Sequence, residues 1–128
     1  MDHDLPADLP ELQMTASMAN IRAWATVSND FNPLHLDREF AAASPMQGII
    51  AHGPMSTALL WQALDAALGQ ERTGRLSMDL RLKRPVREND VVTTGGRLHD
   101  DQPGTWEVWV RNQDGETVIS GTAGLRPL

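Results

Sequence analysis

The 128 residues contain no cysteine, which excludes disulfides, zinc-thiolate sites, iron-sulfur clusters and thiol nucleophiles together. Long apolar runs are missing as well. The longest, residues 55–68, is interrupted by Gln62 and Asp65 and is too short to cross a bilayer. The opening Met1-Asp2-His3-Asp4 is acidic where a secretory signal is basic, and no apolar core follows it. The expectation is a cytoplasmic protein with no membrane partner. An excess of positive charge is also lacking: the formal net charge is -6, which argues against nucleic acid, whose phosphates reward basic surfaces. With 41% apolar residues, a chain of this length suits one domain over residues 1–128.

The basic residues that are present are unevenly placed. Arg81, Lys83, Arg84 and Arg87 fall within seven positions. Such a strip is either a solvated strand face balanced by Asp79, Glu88 and Asp90 or a grip for one small polyanion.

The hydrophobic pattern changes period along the chain. A short edge strand is expected at residues 12–15, then a helix capped by Thr15 or Ser17, with Met18, Ile21 and Ala25 at helical spacing, ending near Asn29. Asn32-Pro33 takes the chain out of the helical region, because the residue before proline is pushed to extended geometry. Asp37 can cap a second short helix over 38–43, closed by Ser44-Pro45. The best-delimited element is 53–68, with Gly53 at its start, Pro54 in its first turn and Gly69 just past its end. Its polar residues Ser56, Thr57, Gln62 and Asp65 leave no wide polar face, so it is buried on most sides. Strands follow at 76–83, 91–98, 106–111 and 117–125, the last two joined by the turn signal Asn112-Gln113-Asp114-Gly115. Gly95-Gly96 marks a bulge or a close backbone approach. An antiparallel sheet around one buried helix is an α+β layout, and the hotdog fold is one such layout.

Chemistry concentrates in Ser28-Asn29-Asp30-Phe31-Asn32-Pro33-Leu34-His35-Leu36-Asp37. Asp30 and His35 are separated by an Asn-Pro break, so they can converge from a loop without stacking on one helix. A carboxylate and an imidazole make a possible base and acid near neutral pH. Taken alone, the same residues also suit a turn aspartate and an ordinary polar histidine. No metal is expected: Asp30, His35 and His52 lack a recognised ligand spacing. His3 and His99 carry no assigned role, and the methionines and tryptophans read as core filler.

Three ordered motifs bear a resemblance. Residues 28–37, then Ile49-Ile50-Ala51-His52-Gly53, then Leu82-Lys83-Arg84-Pro85-Val86 resemble the S-G-D-x-N-P-x-H loop, the [IV]-x-H-G turn and the R-F-x-x-P-V strand of the MaoC-like (R)-specific enoyl-CoA hydratases. The similarity covers about residues 18–97. It implies a single hotdog domain in which the Asp-His loop overhangs the central helix and an acyl chain enters a tunnel beside it. It also implies that Asp30 and His35 are the catalytic pair and that the Gly53 N–H binds the thioester carbonyl. Asn29, Asn32 and His52 would then support the loop, with His52 shaping the helix entry. The chain departs from the family at Asn29, where glycine is usual, and at Trp61, where many relatives have a small hydroxyl residue. Asparagine tolerates left-handed backbone, so the loop can survive. Trp61 is a core residue or a tunnel wall.

The resemblance implies hydration of a (2E)-enoyl-CoA, with no cofactor beyond the CoA of the substrate. Arg84, Arg87 and Lys83 become candidates for the CoA phosphates, and a homodimer is expected because a lone sheet leaves edges open. A hotdog acyl-CoA thioesterase and a non-catalytic acyl-CoA-binding partner subunit are the rival readings.

Overall fold

The computed structural model describes residues 4–127, so His3 lies outside the described residues. The elements in chain order are β1 (Gln13–Thr15), α1 (Met18–Ser28), α2 (Pro33–Leu36), α3 (Arg38–Ala43), α4 (Gly53–Leu68), α5 (Gln70–Thr73), β2 (Leu76–Leu82), β3 (Val91–Leu98), β4 (Thr105–Arg111) and β5 (Thr117–Leu125). The strands form one antiparallel sheet in the order β1-β3-β4-β5-β2, so β1 and β2 are its edges. The expected α+β layout is present, with the sheet open.

Burial explains the arrangement. Helix α4 buries Met55, Leu59, Leu60, Ala63, Leu64 and Leu68, and alternate residues of β4 (Trp106, Val108 and Val110) are buried in the same core. Each large apolar side chain removed from water contributes about 1.5–3 kcal/mol, so the helix with no polar face is the one the sheet wraps. Trp106 also donates its indole N–H to the Pro6 carbonyl at 2.9 Å, which ties the extended lead-in to the core. Thr94, itself buried, donates to the Pro10 carbonyl and accepts from the Leu12 N–H, both at 2.9 Å.

Several local expectations need correction. Asn32, with φ -53° and ψ 128°, lies outside the helical region as proline's predecessor favours, yet Pro33 then opens a new helix, α2. Proline's fixed φ and missing N–H suit a first helical position, so His35 stands on a helical turn and not on irregular loop. Helix α5 has no counterpart in the pattern reading. Gly95 and Gly96 are not a bulge: the β3–β4 register is regular, and the irregularity falls between Val110 and Arg111, where β4 pairs with β5. Close approach is the reason for the two glycines. A Cβ at Gly95 would lie 2.2 Å from the Trp109 indole nitrogen, and one at Gly96 would lie 2.6 Å from Leu9 Cδ1.

Candidate active site

Helix α1 ends on Asn29, whose φ of 56° and ψ of 35° are left-handed. This is the geometry that asparagine adopts at least cost after glycine, and it turns the chain so that Asp30 projects beyond the helix. Asp30 Oδ1 then accepts from the Asn32 N–H at 3.2 Å, and Asn32 Oδ1 accepts from the Leu34 N–H at 3.0 Å, capping α2.

One carboxylate oxygen is thereby engaged and the other is left for the site. Asp30 Oδ2 lies 3.9 Å from His35 Nε2. His35 Nδ1 sits 2.7 Å from the Ile50 carbonyl, which can only accept, so Nδ1 carries a hydrogen and Nε2 is the nitrogen presented to Asp30. Asp30 is half exposed, while the His35 side chain is 12% exposed. The loop thus sets a wet carboxylate against a sheltered imidazole.

His52 stands at the N-cap of α4, at the helix entry, but makes no side-chain capping bond. Its Nε2 instead lies 2.9 Å from the Asp30 main-chain carbonyl, and its ring stacks on His35 with centroids 3.9 Å apart. Both contacts join the residue before α4 to the 29–37 segment. Gly53 is the first residue of α4, where a backbone N–H has no partner within the helix. A side chain there would crowd the site, since a Cβ would lie 2.8 Å from Leu82 Cδ2.

A cavity of about 320 Å³ opens at this point, walled by His35, His52, Gly53, Ile50, Val86 and Ile119 among others. Asp30 is outside that wall, facing it through His35. Lys83 and Arg84 also line the cavity, whereas Arg87 does not. Arg87 donates to the Met46 carbonyl at 2.7 Å and borders a second, polar hollow that shares Arg84 and Pro85 with the first. Arg84 makes an ion pair with Glu116 at 2.9 Å. Trp61 is not part of the cavity wall and packs against the hydrophobic core.

Sequence reasoning missed one polar wall residue. Ser56 is 2% exposed and lines the cavity. The available signal was its spacing, three residues and so one helical turn after Gly53; the scattered polar residues of α4 hid it. Asp30, His35 and His52 each offer one donor atom within 4.8 Å of the others.

A sheet wrapped on one buried helix, with Asp30 and His35 on a segment beside the helix N-terminus, is the layout of a hotdog domain. Residues 6–119 match the MaoC like domain, and the chain belongs to that family. It is 37% identical over 116 residues to an (R)-specific enoyl-CoA hydratase of Aeromonas caviae, covering 84% of each chain. Its fold is similar to that of the (R)-hydratase from A. caviae involved in PHA biosynthesis, with a TM-score of 0.78 and 28% identity over 97% of this chain and 98% of that one. It is also similar to a chain of the ChsH1-ChsH2 complex from Mycobacterium tuberculosis, with a TM-score of 0.75 and 26% identity over 96% and 98% of the two chains. No helix among the described residues is long and apolar enough to cross a membrane.

Proposed function

We propose that the protein is an enoyl-CoA hydratase, adding water to a (2E)-enoyl-CoA to give the (R)-3-hydroxyacyl-CoA and catalysing the reverse dehydration. The observation that carries this reading is the pairing of Asp30 Oδ2 with His35 Nε2 beside a cavity that begins at the N-terminus of α4. The (R) configuration follows the activity named for the Aeromonas relative.

Hydration needs a proton removed from water as its oxygen bonds to the β-carbon, and a proton supplied to the α-carbon. Asp30 accepts the proton of the water. His35, protonated at both nitrogens, gives its Nε2 proton to the α-carbon while Nδ1–H stays on the Ile50 carbonyl. The proton on Asp30 then returns to Nε2 and resets the pair. Each positioned proton-transfer group is worth about 10²- to 10⁴-fold. As the β-carbon is attacked, the thioester oxygen gains enolate charge, which in this reading the Gly53 N–H at the helix start receives; loss of one such donor typically costs about 3 kcal/mol.

The reaction asks for no cofactor beyond the CoA of the substrate. Lys83 and Arg84, both on the cavity wall, are the first candidates for the CoA phosphates, with Arg87 in the adjoining hollow next. The edge strand β2 ends on Leu82, which is 63% exposed. A second copy of the chain would cover that edge, so the protein is proposed to work as a homodimer in the cytoplasm.

Purified protein mixed with a chain-length series of enoyl-CoAs tests the reading. Loss of the conjugated enoyl absorbance without release of free thiol is expected. Thiol release would make it a thioesterase, and tight binding without turnover a supporting subunit.

A further inference from the structure

Hydration as written assigns no step to His52, although it is more buried than Asp30 or His35, at 2% exposure. We infer that His52 is a positioning residue that locates both members of the catalytic pair at once: its Nε2–H holds the main chain of Asp30, and its ring face backs the imidazole of His35. The inference rests on the hydratase reading of that pair.

Geometry fixes the tautomers. The Asp30 carbonyl, 2.9 Å from His52 Nε2, can only accept, so Nε2 carries the hydrogen. Nδ1 is then a bare acceptor, and it is buried with no partner among the described residues. A hydrogen at Nδ1 would be a buried donor with nothing to receive it. His35 has the opposite arrangement, its Nδ1–H on the Ile50 carbonyl at 2.7 Å and its Nε2 free for the reaction. The two rings lie 3.9 Å apart with their planes 26° from parallel. His35 is therefore located by a hydrogen bond at one edge and by a flat surface across one face, which together leave its Nε2 a single direction.

The N-cap of α4 supplies a second argument. Helix starts favour a side chain that bonds back to the first free N–H groups, and His52 forgoes that bond to reach across to Asp30, twenty-two residues earlier. The helix start is left uncapped for a ligand, and the loop is fastened to the most deeply buried helix of the fold. The hydrogen bond from His52 Nε2 ties the Asp30 main chain to the residue just before Gly53.

Two substitutions separate the two functions. His52→Gln keeps an N–H donor and loses the ring face, while His52→Phe keeps the face and loses the donor. Each is expected to lower kcat by about ten- to a hundred-fold, as a displacement near 1 Å would, while KM and the affinity for a saturated acyl-CoA stay within about three-fold. The ring-proton resonances of His35, shifted by the stacked neighbour, should remain in His52→Phe and move in His52→Gln. Nitrogen-15 spectra of histidine-labelled wild-type protein, recorded above about pH 8 where free imidazole is neutral, give an arm that needs no variant. They should show the hydrogen of His52 on Nε2 and that of His35 on Nδ1. Wild-type kcat in both variants, or a hydrogen on His52 Nδ1, would overturn the inference. If the hydratase reading itself fails, no enoyl-CoA is turned over by the wild-type protein while its spectra still show the stacked, opposite tautomers.

Discussion

The overhang at residues 29–37 and strand β4 are held by different forces. In the overhang, α2 buries no residue and Phe31 is 56% exposed. Its shape comes from short polar links: the left-handed Asn29, the Asp30-to-Asn32 turn, the Asn32 cap and the Asp37 cap on α3. Each such bond contributes about 1 kcal/mol net. In β4, Trp106, Val108 and Val110 are almost wholly removed from water, and each contributes about 1.5–3 kcal/mol by burial. A region held by local polar geometry can be wrong by an ångström without unfolding the protein. Changes in the overhang should therefore be read in rate, and changes in the sheet in stability.

The sharpest probe of that contrast is the proposed catalytic pair. Asp30→Asn and His35→Ala are each expected to lower kcat by about 10²- to 10⁴-fold, with a thermal midpoint close to wild type. The double variant should lose little more than either single one, because groups acting as a unit are non-additive. Steady-state kinetics beside a melting curve checks this; a midpoint that falls with the rate would break the contrast.

Gly121 probes the opposite side. A Cβ there would lie 2.0 Å from the Asp79 carbonyl oxygen, and that oxygen belongs to the β2–β5 backbone ladder, which cannot yield as a side chain can. Gly121→Ala should destabilise by about 3 kcal/mol in urea unfolding, with kcat per folded molecule little changed.

Asn29 falls between the two. Asn29→Gly should be nearly silent. Asn29→Val forces a β-branched residue into left-handed backbone at about 1–3 kcal/mol, and relief of that strain by moving Asp30 should lower kcat by about 10²-fold. Comparing both variants on one substrate decides whether backbone or side chain matters: equal losses would make the Asn29 side chain a substrate contact.

A smaller effect is expected on binding. Replacing Lys83 and Arg84 together with alanine should raise KM several-fold with modest change in kcat, and the difference should shrink as salt screens the phosphates. An unchanged KM at low ionic strength would place the CoA phosphates elsewhere.

The smallest effect belongs to Arg38 and Glu88, which join α3 to the turn before β3 through paired bonds of 3.1 and 2.5 Å. The hydrogen bond from Arg38 holds the Glu88 carboxyl below its ordinary range. A depressed carboxyl contributes stability above its unfolded value and loses it as pH falls through the folded one. Arg38→Ala should therefore lower the thermal midpoint slightly at neutral pH and not at all once Glu88 is protonated in strong acid. The pair is exposed, so the difference should also fade with salt.

Much of this was legible in the chain itself. The limits of α4 followed from Gly53, Pro54 and Gly69, and its burial from the lack of a polar face; the strand periods followed from alternation. Such features are local, because period, capping and turn geometry depend on neighbours within a few residues. The motif containing Asp30 and His35 was likewise readable as a candidate base and acid, and the tolerance of Asn29 for left-handed backbone followed from its side chain. The tertiary structure alone decided what those residues meet. The stacking of His52 on His35, the turning of His35 Nε2 toward Asp30, the placement of Ser56 in the cavity wall and the diversion of Arg87 to the Met46 carbonyl all join residues from separate elements. Their geometry depends on how the sheet closes over α4, which sums many weak burial terms and is written at no single position.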